Sequence, residues 1–308
     1  MNCPKHDKPR HCPTMKAAPF DYERAHDLAH VLDRLGQHGA DAKPIAGGQS
    51  LVPMMAMRLA RPTLLIDIYR LPELRELRVQ PDRVLIGACV KQREVQHHAD
   101  ALSHLPLVAQ ALPWVGHQQT RNRGTVGGSL VHADPSAELP LAFLVLGGTA
   151  HVQSQRGGAR RIAAEDFFQG PMFTALGEDE CLVATEWPVL NAPRSGSAFE
   201  ETSIRHGDFA MASAACQLSL DAQGRVASLR IGVGGVDSRP LTFPTHAQQL
   251  IGQLPTQDHL QALAHTVANA LDPHNDVHVQ APFRRHLARE LLVRVMTQAT
   301  QRALHTAS

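Results

Sequence analysis

Apolar residues in the first quarter of the chain switch between helical and strand-like spacing. Helical spacing over residues 22–38 predicts a helix with one apolar face. Apolar runs at 43–46 and 63–68 are typical of strands, and a second helix is predicted between them over 51–59. The first helix carries four apolar residues on one face: Leu28, Val31, Leu32 and Leu35. Residues 15–75 are therefore predicted to form a lobe in which a helix precedes a β-α-β unit.

A second lobe, residues 76–190, continues the alternation of short strands and helices. Its strands are predicted at 84–88, 150–153, 160–163 and 182–187, the middle two as a hairpin. Its helices are predicted at 91–99, 106–115 and 137–146, with a loop over 116–124. The pattern thus predicts one domain of two lobes over residues 15–190.

Beyond a linker at residues 188–196, longer β-type runs follow one another without intervening helices. Strands are predicted at 197–205, 211–220 and 226–233. A final helix over 284–304 carries a continuous apolar stripe. Residues 197–305 are therefore predicted to be an α+β domain, an antiparallel sheet with helices on one side.

The composition is that of a chain able to bury a substantial core, with 308 residues of which 43% are hydrophobic. The formal net charge is +1, and the 30 basic and 29 acidic side chains are spread along the chain. This balance argues against a nucleic-acid or membrane-surface partner. No apolar run is long enough to span a bilayer and no signal segment opens the chain, so we expect a soluble cytoplasmic protein.

Cysteine and histidine are scattered rather than grouped in metal-binding motifs. The five cysteines include no C-x-x-C pair, which argues against a disulfide framework, a zinc ribbon or an iron–sulfur cluster in this chain. His97, His98 and His104 are interpreted as solvated residues on a helix surface. Residues 1–14 are expected to be a disordered tail before a natural start at Met15. The alternative there is a metal clip of four residues: Cys3, His6, His11 and Cys12.

Two glycine-rich segments carry the strongest chemical signal, Ala-Gly-Gly-Gln-Ser-Leu at 46–51 and Thr-Val-Gly-Gly-Ser-Leu at 125–130. Each is expected to end a strand in a Gly-Gly turn whose backbone N–H groups converge on an anion. Neither matches the dinucleotide fingerprint or the P-loop, and an ordinary hairpin or helix N-terminus is the alternative for the first. Behind the second segment, Asp134 and Glu138 can accept hydrogen bonds from ribityl or ribose hydroxyls. The alternative is that Asp134 caps a helix ahead of Pro135.

Six longer segments surround these glycines: residues 43–51, 119–129, 132–140, 164–170, 205–210 and 231–236. In sequence and in order they resemble the FAD-binding medium subunit of molybdenum hydroxylases. That family includes carbon monoxide dehydrogenase and xanthine dehydrogenase-type complexes. The resemblance implies an FAD-binding domain of the vanillyl-alcohol-oxidase (PCMH) type over residues 15–190. A C-terminal flavoprotein domain over 197–305 would follow it.

The resemblance also implies which residues hold FAD, without a covalent bond. In the family both Gly-Gly segments bind the FAD pyrophosphate through backbone amides, and hydroxyls matching Thr125 and Ser129 lie near phosphate oxygens. Leu182 matches an apolar position beside the flavin. Phe209 matches an aromatic residue near the flavin edge, with a plain core position as its alternative. The complete set is Ile45, Ala46, Gly47, Gly48, Gln49, Ser50, Leu51, Val115, Gly116, Thr125, Val126, Gly127, Gly128, Ser129, Asp134, Glu138, Leu182 and Phe209.

Because this chain lacks cluster cysteines and a molybdopterin-type site, the resemblance implies that substrate oxidation occurs elsewhere. A large molybdenum-cofactor subunit would oxidise the substrate, and a small [2Fe–2S] subunit would pass electrons to FAD on this chain. A small-molecule acceptor such as NAD, a quinone or oxygen would then receive them. No catalytic residue and no metal ligand is assigned to this chain.

Two other functions remain open from the sequence. A self-sufficient flavin oxidase on the same fold would oxidise an organic substrate alone, but no motif supplies a base or a histidine for covalent flavin. A non-redox nucleotide-binding scaffold would not retain flavin, but both glycine segments are intact. We therefore expect an FAD-binding electron-transfer subunit of a heterotrimer.

Overall fold

The computed structural model describes residues 16–277 and 279–305. The predictions for residues 1–14 and for Met15 lie outside the described residues. Four sheets are present in the described part: a three-stranded, a five-stranded, a four-stranded and a small two-stranded sheet. With the helices packed around them, they confirm the predicted α+β class.

The first lobe is a parallel sheet in the order β1-β3-β2. Its elements are β1 (Asp21–Arg24), α1 (Leu28–His38), β2 (Ala42–Ile45), α2 (Leu51–Ala56) and β3 (Leu64–Asp67). Because all three strands run in parallel, the carboxyl ends of β2 and β3 meet at one edge of the sheet. The first glycine segment follows β2 directly, so it lies at that edge.

The predicted helix over 22–38 starts too early. Residues Asp21–Arg24 pair with β3 as a strand, and α1 starts only at Leu28. Asp27 caps α1 by accepting a hydrogen bond from the His30 N–H at 2.7 Å. The extended backbone of Asp27, with φ −155° and ψ 175°, separates the strand from the helix.

The second lobe is built on an antiparallel sheet in the order β4-β5-β10-β6-β7. Its strands are β4 (Leu77–Val79), β5 (Arg83–Gly87), β6 (Thr149–Ser154), β7 (Gly158–Ala163) and β10 (Glu180–Pro188), beside the small pair β8 (Phe168–Gly170) and β9 (Phe173–Thr174). Its helices are α3 (Gln92–Gln96), α4 (Ala99–His104), α5 (Pro106–Ala111), α6 (Gln118–Arg123), α7 (Val126–His132), α8 (Glu138–Leu146) and α9 (Ala164–Phe167). All nine residues of α8 are buried, which makes this helix the centre of the lobe.

Three local predictions in this lobe need correction. The helix expected over 91–99 is two short helices, because the backbone leaves helical geometry at His97 and His98. His98 instead caps α4, its Nδ1 accepting the Ala101 N–H at 3.2 Å. The loop expected over 116–124 contains α6, and the second Gly-Gly pair lies inside α7 rather than in a turn.

The C-terminal part is a four-stranded antiparallel sheet with two long helices on one face. Its elements are β11 (Ser195–Thr202), β12 (Ala212–Leu220), β13 (Val226–Gly234), β14 (Leu241–Thr242), α10 (Pro244–Ala247), α11 (Gln257–Asn269) and α12 (Ala281–His305). Helix α12 lies so close to β11 that a Cβ on Gly196 would be 1.9 Å from the Ala299 carbonyl oxygen. The other face packs on α5 and α8 of the second lobe, which closes the interface between the two halves.

None of the helices within residues 16–277 and 279–305 combines the length and apolar content needed to cross a bilayer. Cys89, Cys181 and Cys216 are buried thiols without a disulfide. Burial raises the pKa of Cys89 and Cys181 to about 12. These thiols therefore pack as small apolar side chains.

Candidate cofactor site

A groove of about 490 Å³ opens at the carboxyl edge of the parallel sheet. The edge of a parallel sheet beyond its strand ends is where such folds bind ligands. Eleven residues line this groove: Tyr22, Ile45, Ala46, Gly47, Gly48, Gln49, Val52, Pro53, Asp67, Tyr69 and Arg123. Five of them belong to the predicted cofactor-binding set, so the structure brings the first glycine segment to a ligand-sized opening.

The first glycine segment lines this groove with Ala46, Gly47, Gly48 and Gln49. Gly48 has a φ of +69°, a left-handed conformation that suits glycine. From Gly47 to Ser50, no backbone N–H has a hydrogen-bond acceptor among the described residues. The first amide to donate within the protein is that of Val52, to the Gly48 carbonyl at 3.1 Å. Successive amides of this kind attract an anion such as a phosphate.

The amides of the second glycine segment are used within the protein instead. The Val126 and Gly127 N–H groups donate to the carbonyls of Val90 and Ala88, at 3.0 and 3.2 Å. The Gly128 N–H donates to Thr125 Oγ1 at 3.0 Å, because Thr125 is the N-cap of α7. The Ser129 N–H donates to the Thr125 carbonyl at 3.2 Å. The expected pair of anion-binding turns is therefore asymmetric, and only the first segment presents unoccupied amides.

Glycine is needed at one position of each segment because another backbone approaches closely. A Cβ on Gly47 would lie 2.1 Å from the Arg123 carbonyl oxygen and 2.9 Å from Gly124 Cα. A Cβ on Gly127 would lie 2.6 Å from Ala88 Cα. Any larger residue would push these backbones apart. Gly47 thus lets the first segment pack on the end of α6, and Gly127 lets α7 pack on Ala88, a steric role that the sequence prediction did not assign.

Val115 and Gly116 form a second part of the predicted site. Arg121 Nη1 donates to the carbonyls of Val115 and Gly116 at 2.9 and 3.0 Å, which fixes this segment. Gly207, with a φ of +92°, lies so close to His117 that a Cβ on it would be 2.6 Å from His117 Cε1. The loop that leads to Phe209 is therefore seated against this segment.

Phe209 is 76% exposed, which rules out the alternative that it is a core residue. On the same loop, His206 stacks on Trp114 with ring centroids 5.3 Å apart. Leu182 lies elsewhere, buried in β10 opposite Val152 and outside the groove. The structure thus places Phe209 on a loop whose Gly207 packs against the Gly116–His117 segment, and it leaves Leu182 in the core of the second lobe.

Asp134 and Glu138 are both buried between α7 and α8. Asp134 Oδ1 accepts the Ser136 N–H at 2.8 Å in a local turn. It does not cap α8, whose N-cap is Ala137. Burial, with a smaller contribution from the Asp134 charge, raises the pKa of Glu138 to about 7. Glu138 is therefore held as an acid that gains or loses a proton near neutral pH.

The sequence did not reveal Glu201, which is buried in β11 and has no hydrogen bond to either carboxyl oxygen from any described residue. Burial first, and the Glu138 charge second, raise its pKa to about 9. Ser213 lies directly opposite Glu201 in the β-ladder, and its Oγ also lacks a partner among the residues that the structure describes. The alternation of side chains along β11 could have indicated this burial. Glu200 faces α12, where Gln298 Nε2 donates a hydrogen bond to it at 2.8 Å, so Glu201 faces the opposite side of the sheet.

Six groove residues were also missed: Tyr22, Val52, Pro53, Asp67, Tyr69 and Arg123. Asp67 accepts hydrogen bonds from Tyr22 Oη at 2.5 Å and from the Tyr69 N–H at 3.0 Å. Both tyrosines of the chain line this one groove, which is a compositional signal that could have drawn attention to them.

The residues present fit FAD. A diphosphate needs amide donors and a positive charge, and the groove has both, in the backbone of Gly47, Gly48 and Gln49 and in Arg123. Hydroxyl groups of a sugar alcohol need acceptors, which the carboxyl groups of Asp134 and Glu138, outside the groove lining, can provide. The groove therefore has the chemistry that the diphosphate of FAD requires.

Comparison with known proteins identifies the class. Residues 18–190 match the model for the FAD binding domain in molybdopterin dehydrogenase. Residues 197–299 match the CO dehydrogenase flavoprotein C-terminal domain. The chain therefore belongs to the FAD-binding medium subunits of the molybdenum hydroxylase family, and it is a flavoprotein subunit of an oxidoreductase.

Individual relatives agree with this assignment over nearly their whole length. The 6-hydroxypseudooxynicotine dehydrogenase complex subunit alpha of Paenarthrobacter nicotinovorans is 37% identical, covering 95% of this chain and 98% of that protein. The carbon monoxide dehydrogenase medium chain of Hydrogenophaga pseudoflava is 33% identical, with 92% and 98% covered. The crystal structure of quinoline 2-oxidoreductase from Pseudomonas putida 86 superposes with a TM-score of 0.89 at 34% identity, covering 94% of this chain and 99% of that one.

Proposed function

We propose that this chain carries FAD and transfers electrons within a molybdenum-containing hydroxylase or dehydrogenase complex. A large molybdenum-cofactor subunit oxidises the substrate, and a small [2Fe–2S] subunit delivers the electrons to this chain. A small external molecule takes them away. The observation that carries this proposal is that Gly47, Gly48 and Gln49 line a groove and that the backbone N–H groups from Gly47 to Ser50 lack acceptors within the described residues.

FAD, when bound, supplies a centre that accepts electrons singly and releases them in pairs. The task of this chain is to hold that group in place. The amides from Gly47 to Ser50 hold the diphosphate, while Thr125 and Ser129 contribute hydroxyls from the first turn of α7. Asp134 and Glu138 accept hydrogen bonds from ribityl or ribose hydroxyls.

The segment at Val115 and Gly116 and the exposed ring of Phe209 border the flavin. Leu182 supports this region from the core of the second lobe. We assign the FAD-binding function to residues 15–190 and place residues 197–305 against it as the C-terminal flavoprotein domain. Buried thiols without disulfides fit a reducing compartment, so we place the complex in the cytoplasm.

The test compares the chain alone with the chain assembled with its large and small subunits. The substrates named for the relatives, among them caffeine and carbon monoxide, form the first panel. We expect the isolated chain to bind FAD but to show no substrate-dependent bleaching of flavin absorbance, whereas the three-subunit complex shows it.

Two outcomes would contradict the proposal. Turnover by the isolated chain would identify a self-sufficient flavin oxidase. Failure of the correctly folded chain to retain any flavin, alone or in the complex, would identify a scaffold without a redox function.

A further inference from the structure

Arg123 lines the cofactor groove, and none of its side-chain atoms has an acidic or carbonyl partner within residues 16–277 and 279–305. Its two basic neighbours are occupied. Arg121 is hydrogen-bonded to Val115, Gly116 and Gln96, and Lys91 Nζ lies 3.7 Å from Glu94. Among the residues that line the groove, Arg123 is therefore the basic one, and the described part of the protein does not use its charge.

The charges around the groove favour a bound anion beside Arg123. The groove's acidic residue, Asp67, is already compensated by Tyr22, by the Tyr69 N–H and by Arg24 at 3.7 Å. No second carboxylate lines the groove to pair with Arg123. Gly47, Gly48 and Gln49 also line the groove, and their backbone N–H groups lack acceptors within the described residues, so two independent kinds of anion-binding group share one opening.

The backbone keeps Arg123 close to the first glycine segment. Gly47 packs against the Arg123 carbonyl oxygen so closely that no Cβ fits between them. Arg123 is also the last residue of α6, where the partial negative charge of the helix end would repel a phosphate. A guanidinium at this position offsets that repulsion.

We propose that Arg123 binds the diphosphate of FAD directly and supplies the full positive charge that the amides from Gly47 to Ser50 lack. This assignment rests on the proposed FAD-binding function. Arginine offers planar paired donors to phosphate oxygens, an interaction stronger than that of neutral amides.

The test is an FAD titration of the full-length apoprotein, followed by quenching of flavin fluorescence. We expect Arg123→Gln to raise the Kd for FAD about tenfold or more, and Arg123→Lys to raise it less, since it keeps the charge. Because one ion pair is lost, the dependence of the Kd on salt also becomes weaker in Arg123→Gln. Competition by ADP, which carries the same diphosphate, is weakened in parallel.

Arg93→Gln is the matched control, since Arg93 is an exposed arginine on the neighbouring α3 and does not line the groove. It should leave the Kd unchanged. The assignment is overturned if Arg123→Gln binds FAD and ADP as the wild type does, with the same salt dependence. In that case FAD binding by the wild type still supports the proposed function. A wild-type chain that binds no FAD would overturn both.

Discussion

Replacing Glu201 with glutamine should stabilise the protein at neutral pH. Glu201 is 5% exposed, both of its carboxyl oxygens lack partners, and the Glu138 charge reaches it. Burial raises its pKa from 4.5 to about 9, so the folded protein keeps a proton that the unfolded chain releases near pH 4.5. Stability therefore falls as the pH rises from 4.5 towards 9 and is unaffected by this group below 4.5.

The size of the effect follows from the same values. Each pH unit above 4.5 costs about 1.4 kcal/mol until the folded pKa is reached. At about pH 7 the acid thus lowers the free energy of unfolding by about 3 kcal/mol relative to a group that cannot ionise. Glutamine has nearly the same shape and leaves the number of unpaired polar atoms similar, so Glu201→Gln should recover most of this amount.

The assay is urea unfolding of the wild type and Glu201→Gln at about pH 4 and about pH 7. We expect the variant to be more stable by about 3 kcal/mol at the higher pH and equal to the wild type at the lower one. Glu200→Gln is the control, because the neighbouring Glu200 faces α12 and is hydrogen-bonded to Gln298. A stability difference for Glu201→Gln that is the same at both pH values would show that the raised pKa of Glu201 does not control the stability.

Three other substitutions test the packing of the site. Gly47→Ala should lower the free energy of unfolding by about 1–3 kcal/mol and should also lower the FAD content. Gly170→Ala is the control, because Gly170 has open space around it and its substitution should change neither. Equal effects of the two substitutions would contradict the close approach of Gly47 to Arg123. Thr125→Val removes the α7 cap and should cost about 1 kcal/mol in urea unfolding, so an unchanged midpoint would contradict that role. Arg284→Met removes hydrogen bonds from this buried arginine of α12 to the Met211 and Gly235 carbonyls and to Asp276. It should lower the free energy of unfolding by about 3–5 kcal/mol. A decrease below about 1 kcal/mol would show that these hydrogen bonds contribute little to stability.

The parts of the fold that apolar patterning determines were predictable from sequence. Helix α8 was expected over 137–146 and spans Glu138–Leu146, because a run that is apolar on every side must be buried. The polar strand Asp21–Arg24 was not predicted, since only its pairing with β3 makes it a strand. Likewise α6, whose residues are all polar, has no apolar periodicity to reveal it.

The site was predictable to the extent that single residue types report backbone geometry. Gly47 and Gly48 indicated a special turn, and the structure shows both the left-handed φ of Gly48 and the close contact of Gly47. The helical state of Gly127 and Gly128 was not predictable, because glycine disfavours helices. Here the Gly127 N–H donates to the Ala88 carbonyl and the Gly128 N–H donates to Thr125 Oγ1. Arg123 and Glu201 were missed because their surroundings come from distant parts of the sequence. Gly47 packs against Arg123, and the Glu138 charge acts on Glu201.

The FAD content of Gly48→Val, measured as moles of flavin per mole of purified chain, tests directly whether the first glycine segment binds FAD. Valine strongly disfavours the φ of +69° at this position, so the amides from Gly47 to Ser50 would turn away from the groove. Gly252→Val is the control, because Gly252 has a φ of +79° with open space around it and lies outside the groove. We expect Gly48→Val to lose FAD, whereas Gly252→Val and the wild type keep about one FAD per chain. Full FAD retention by a correctly folded Gly48→Val chain would contradict it.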